Sequence, residues 1–149
     1  TYKQLFEKYN ELELNLINSI QYENDFLEKY LKNGGDPNFK FKDFLPSYTL
    51  LGLALEYNNR YNIKLIIDAG ADLNYVNGYG ETYLIKQSIY QNIQNIFLLI
   101  ESGADWNIEF SGKTFIDFLN NEKKDIIINR YSEKYKEYLK NKQIKKYKI

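Results

Sequence analysis

Three segments of one pattern, "GGDPN" at 34–38, "GADLN" at 70–74 and "GADWN" at 103–107, recur at spacings of 36 and 33 residues. A period of this length constrains the fold more than composition does. Each period is one supersecondary unit that cannot bury its apolar face alone, so neighbouring units must stack. The residues before each segment support this. Leu27, Tyr30 and Leu31, then Ile63, Ile66 and Ile67, then Ile96, Leu99 and Ile100 recur at helical spacing. The glycine after each run suits a helix end in left-handed geometry, and Asp-x-Asn beyond it is turn chemistry.

A second marker falls on threonine. "TLLGLAL", "TYLIKQS" and "TFIDFLN" open at Thr49, Thr82 and Thr114, spaced by 33 and 32 residues. The last two threonines follow Gly-x and the first follows "PSY". A threonine at this point can cap a helix by accepting a hydrogen bond from a free N–H. Each unit therefore reads as a short helix, a tight turn, a second helix and a glycine stop. The inter-helix turns fall at Asn58-Asn59 and Gln91-Asn92.

The stretch "SGKT" at 111–114 resembles the end of a phosphate-binding loop. Such a loop needs another glycine five positions before its Gly-Lys pair, so that backbone N–H groups can wrap the phosphates. That position is Asn107, and Glu109 stands where phosphate oxygens would lie. The stretch is read instead as a turn glycine and the third repeated threonine.

Gly-x-Thr, two helices and Gly-Ala-Asp-x-Asn at this period resemble the ankyrin repeat, most closely over 49–107. Thr49, Leu51 and Ala54 match the Thr-Pro-Leu-His-x-Ala stretch of that family. Its proline is replaced by Leu50, Tyr83 and Phe115, and its histidine by Gly52, Ile85 and Asp117. Losing that histidine predicts looser polar coupling between repeats. The small alanine survives as Ala54 but becomes Gln87 and Leu119, and the added bulk predicts altered spacing. The resemblance implies an all-α solenoid of about four units in one domain. Residues 1–38 form an N-terminal cap unit, 39–74 and 75–107 central repeats, and 108–149 a C-terminal cap unit with a basic helical tail. Helices are expected near 2–10, 13–20, 24–33, 49–57, 60–69, 82–90, 93–102, 114–120 and 123–140.

Composition narrows the chemistry. The 20 basic and 20 acidic residues cancel, which argues against a whole-protein field for nucleic acid or membrane. Cysteine and histidine are absent, which removes thiolate sites, the commonest metal ligand and the commonest general acid/base. Asp36, Asp72 and Asp105 share one motif position and are read as turn formers, with no metal or catalytic role. No apolar run reaches the roughly 20 residues of a membrane span, and no signal peptide is visible. A chain opening on Thr1 is expected to be preceded by further residues.

The resemblance implies recognition of a protein partner along finger loops and a concave helix face, with no catalysis and no cofactor. The fingers are aromatic. Phe39, Phe41 and Phe44 lie on the first, Tyr75, Tyr79 and Glu81 on the second, and Phe110 and Lys113 on the third. Tyr57 and Tyr90 stand before the inter-helix turns. Exposed aromatics of this kind mark binding hot spots, so these ten residues are the candidate partner-binding set. Trp106 is expected to pack against the next unit. The basic segment 130–148 carries net charge +6. It is read as a helix covering the last repeat, with disorder expected after about Lys142. Nucleic-acid contact through this tail is the alternative in a different class. An immunity or inhibitor protein acting on an enzyme or toxin is the alternative within protein recognition. A cytoplasmic monomer is expected, with a homodimer through exposed aromatics as the second option.

Overall fold

A computed structural model of the chain describes residues 10–22, 24–42 and 48–147. Their regular structure is helical. The α-helices are α1 (Glu11–Tyr22), α2 (Phe26–Lys32), α3 (Leu50–Glu56), α4 (Arg60–Asp68), α5 (Tyr83–Ile89), α6 (Ile93–Glu101), α7 (Asn121–Arg130) and α8 (Ser132–Tyr147), with a 3-10 turn at Phe115–Phe118. Extended backbone pairs only as isolated bridges among the described residues, Lys40 with Thr49 and Phe110 with Lys113. The all-α class expected from the periodicity is what the structure shows. The expected helix near 2–10 lies outside the described residues. The chain divides into two compact units, Thr1–Tyr79 and Gly80–Ile149.

The first unit holds two helix hairpins, with α1 packed on α3 and α2 packed on α4. Buried Ser19 joins the first hairpin: its hydroxyl donates to the Asn24 carbonyl at 2.9 Å and accepts the Leu27 N–H at 2.8 Å. The second hairpin is capped at both starts. Thr49 Oγ1 accepts the Gly52 N–H at 3.0 Å, and Asn59 Oδ1 accepts the Asn62 N–H at 3.0 Å. Leu51, Ala54, Ile63 and Ile66 on its helices are buried.

The second unit repeats this hairpin in α5 and α6. Thr82 Oγ1 accepts the Ile85 N–H, and Asn92 Oδ1 accepts the Asn95 N–H, both at 3.2 Å. The helix ends repeat as well. Gly70 and Gly103 have φ of +98° and +102°, and each donates its N–H to the carbonyl three residues back, of Ile67 or Ile100. The next N–H, from Ala71 or Ala104, reaches back to Ile66 or Leu99. This double bond pattern satisfies carbonyls that a helix end otherwise leaves open. The tight turns inside the hairpins use it too, with Asn58 at φ +56° and Gln91 at φ +59° in the glycine's place.

Two helices differ from expectation. The one predicted near 114–120 is only a 3-10 turn, ended at Leu119 by extended backbone and at Asn120 by the cap of α7. The long helix predicted over 123–140 is broken into α7 and α8 at Tyr131, whose φ of −122° and ψ of 45° leave the helical region. The break turns the Tyr131 ring edge-on to both Phe97 and Trp106. Beyond Lys142 the chain is ordered helix to Tyr147, with Lys145 paired to Glu109 at 3.1 Å, in place of the expected disorder.

Candidate functional site

The three Asp-x-Asn turns are built alike. Asp36, Asp72 and Asp105 each accept, through Oδ1, the N–H of the asparagine two residues on, at 2.8–2.9 Å. Their carboxylates are engaged in holding the turns, as their shared motif position suggested. Within the first unit the turns are also linked, since Asn38 Oδ1 accepts the Asp72 N–H at 2.7 Å.

In the first finger, residues 39–41 run antiparallel to 48–50. The Phe41 N–H donates to the Tyr48 carbonyl at 2.8 Å, and the Leu50 N–H donates to the Phe39 carbonyl at 3.1 Å. Successive side chains of extended backbone point to opposite sides. Lys40 and Lys42 are exposed, Phe39 is half-buried, and Phe41 is only 2% exposed. Phe41 is therefore core, edge-on to Phe39 at 5.3 Å, and its expected partner-facing place is corrected. Phe44 lies outside the described residues.

Tyr75 is half-buried, with Lys40 Nζ 4.8 Å from its ring centre. Tyr79 is 65% exposed at the end of the first unit. Glu81, at the start of the second, is half-buried. Tyr57 and Tyr90 occupy equivalent positions, each ending the first helix of its hairpin, at φ −79° and −76°. They are 45% and 54% exposed. The residue after each takes left-handed geometry, which directs the tyrosine outward at a fixed point of the turn.

The third finger is a tight hairpin. The Phe110 N–H donates to the Lys113 carbonyl at 2.8 Å and the Lys113 N–H returns the bond at 3.1 Å. Ser111 and Gly112 between them have φ of +53° and +76°. Positive φ at both central residues is the geometry that two-residue hairpins favour. "SGKT" is thus a turn with two left-handed residues. Phe110 is half-buried, with its ring 6.1 Å from that of Phe118. Lys113 is exposed, with Nζ 5.8 Å from the same ring centre.

Thr114 departs from the other two repeated threonines. It forms a capping box with Asp117, whose Oδ2 accepts the Thr114 N–H at 3.0 Å, and its hydroxyl also lies 2.5 Å from Tyr138 Oη. Lys142 Nζ donates to that oxygen at 3.3 Å, and the Thr114 hydroxyl donates to Asp117 Oδ2 at 3.4 Å. Burial alone would lower the Lys142 pKa, but the Tyr138 bond and the neighbouring negative groups carry it above its ordinary value. These contacts fasten α8 over Trp106, which is 6% exposed and packs edge-on against Phe115 at 5.1 Å. Packing is where Trp106 was expected. Its Nε1 is buried without a hydrogen-bond partner among the described residues.

A groove of about 270 Å³ lies beside this lock, between the third finger and α8. Two cations on its wall are met within the chain, Lys142 by Asp117 at 3.8 Å and Lys145 by Glu109 at 3.1 Å. Elsewhere on α8, Lys134 reaches the Ile100 carbonyl at 3.5 Å and Lys136 pairs with Glu133 at 3.2 Å. Much of the basic segment singled out in the sequence is thus engaged with its own unit. No helix among the described residues is long and apolar enough to cross a membrane.

Among the described aromatic candidates, Tyr57, Tyr79 and Tyr90 are the most exposed. The signal that separates them from Phe41 is backbone context: a helix end before a left-handed residue, or an irregular turn, against paired extended chain. No model of a known protein family matches the chain, and no curated protein matches it.

Proposed function

We propose that the chain is a divergent ankyrin-type array whose task is non-enzymatic recognition of a protein partner. The observation that carries this reading is the recurrence of one hairpin, with the same caps and glycine stop, presenting an exposed tyrosine at the same register. Tyrosine at a rigid turn offers large contact area with little side-chain entropy to lose on binding, and such residues dominate interface energetics. The stacking of α1 on α3 and α2 on α4 supports the array. Caps, Asx turns and glycine stops give the rigid frame on which finger residues can vary freely. Tyr57, Tyr79 and Tyr90 are the residues assigned to partner contact, with Phe39, Tyr75, Phe110 and Lys113 supporting the fingers.

The test is affinity capture from lysate of the source organism, comparing the parent with a Tyr57→Ala/Tyr79→Ala/Tyr90→Ala variant whose helicity is verified by circular dichroism. A hot-spot residue is worth about 2 kcal/mol or more, roughly 30-fold in affinity. A partner captured by the parent and lost from the folded variant supports the reading. Undiminished capture by the variant removes these tyrosines from the interface. If the captured partner is a toxin or enzyme whose activity falls on binding, the role is inhibition.

A further inference from the structure

The sequence contains two Asn-Gly pairs, Asn33-Gly34 and Asn77-Gly78. In such a pair the glycine nitrogen can attack the asparagine side-chain carbonyl, because glycine has no Cβ to obstruct the approach. The new N–C bond closes a five-membered succinimide and expels ammonia. Water then opens the ring, leaving aspartate or its iso form and one added negative charge. The reacting Asn-Gly unit is the same in both pairs, so a large difference between them in the folded protein is imposed by the fold.

We propose that Asn77 is a site of spontaneous deamidation in the folded protein and that Asn33 is protected from it. The attacking nitrogen at the first pair is engaged, since the Gly34 N–H donates to the Leu31 carbonyl at 3.1 Å. The residues around it are fixed as well. The Asn33 N–H donates to the Lys29 carbonyl at 3.0 Å, and the Gly35 N–H donates to the Tyr30 carbonyl at 2.8 Å. Asn33 has φ −87° and ψ 14°, the geometry that closes α2. Bringing the Gly34 nitrogen over the side-chain carbonyl requires rotation about that ψ, which breaks the helix end.

The second pair has the opposite arrangement. It enters a turn at Gly78 and Tyr79, outside any helix, and the Gly78 N–H makes no hydrogen bond among the described residues. The Tyr79 N–H donates to Asn77 Oδ1 at 2.9 Å. That bond polarises the carbonyl under attack and sits where the oxyanion of the tetrahedral intermediate develops, so it stabilises the transition state. The product places a carboxylate between Tyr75 and Tyr79 in the second finger.

The experiment is incubation of the folded chain at mildly alkaline pH, followed by digestion and mass spectrometry of the peptides carrying each pair. A parallel sample in denaturant measures both pairs without the fold. In the folded sample, Asn77 converts roughly five- to tenfold faster than Asn33, the factor that one lost backbone hydrogen bond represents. In denaturant the two rates converge. Gly78→Ala slows conversion at Asn77 in both samples. Equal rates in the folded protein, faster conversion at Asn33, or an unmodified Asn77 would each overturn the assignment.

Discussion

Asn95 donates its side-chain amide to Gln87 Oε1 at 3.0 Å, joining α5 and α6 in the second unit through a fully buried polar pair. The equivalent positions of the first unit are Ala54 and Asn62. There the Asn62 amide reaches past the alanine to the Ser19 and Ile20 carbonyls, at 3.5 and 3.4 Å. A buried asparagine is therefore common to both hairpins, and what it bonds depends on the residue facing it. Gln87 fills the alanine's place with an acceptor. Gln87→Leu keeps the volume and removes that acceptor. It is expected to lower unfolding free energy by about 1–3 kcal/mol, the cost of stripping a partner from a buried polar group. Chemical denaturation measures it. A double-mutant cycle with Asn95→Leu should show coupling, because the second change removes the group that donated to Gln87.

Gly35 stands where the later repeats have Ala71 and Ala104. A Cβ built on Gly35 would lie 2.5 Å from the Tyr30 ring, which folds over this position and donates its hydroxyl to the Asp36 carbonyl at 3.1 Å. Gly35→Ala, a change toward the repeat's own preference, should therefore destabilise the first unit by about 1–3 kcal/mol. Tyr30→Ala in the same chain should recover part of that loss. A Gly35→Ala variant as stable as the parent would show that the ring moves aside freely.

How much of this was readable beforehand differs by residue. Gly70, Gly103, Asp72 and Asp105 act within a few residues of themselves, so period and turn chemistry sufficed to place them. Six helices were placed to within about two residues for the same reason. Phe41 was misplaced because alternation reveals that Phe39 and Phe41 share a side, but not which side faces the core. The break at Tyr131 was hidden because the apolar spacing around it continues unbroken. It follows from the contact with Trp106, 25 positions earlier in the chain. Gln91 shows the limit of turn rules. It holds a left-handed backbone through side-chain bonds to the Phe118 carbonyl at 2.7 Å and the Asn120 N–H at 2.9 Å.

The three repeated threonines should respond differently to substitution. Thr49→Ala and Thr82→Ala each remove a helix cap, a loss of about 1 kcal/mol. Thr114→Val also removes the partner of Tyr138, leaving its buried phenol oxygen with Lys142 as the remaining hydrogen-bond partner among the described residues. Its cost should be larger, about 1–3 kcal/mol. It should also be non-additive with Tyr138→Phe, whereas Thr49→Ala and Tyr138→Phe, in separate units, should add. Thermal unfolding of the single and double variants checks this. Additivity between Thr114→Val and Tyr138→Phe would mean that the hydroxyl pair contributes nothing to stability.

Alkaline pH should loosen both units through their half-buried phenols, Tyr30 and Tyr131. Burial is the leading cause holding the Tyr131 pKa above its ordinary 10.0, and the hydrogen bond to Glu101 at 3.1 Å adds to it. Tyr30 is raised as well, again chiefly by burial. A phenol with a higher pKa in the folded state keeps its proton where the unfolded chain has released it. The stability it contributes is present in full below about pH 10 and is lost as pH rises through the folded value. The urea midpoint should therefore stay level from neutral to about pH 9 and fall above pH 10. Tyr131→Phe should make that fall shallower while lowering the midpoint slightly at neutral pH, since the Glu101 bond is gone. Lysine titration is common to parent and variant and cancels in the comparison. An unchanged alkaline slope in Tyr131→Phe would exclude Tyr131 as the group responsible.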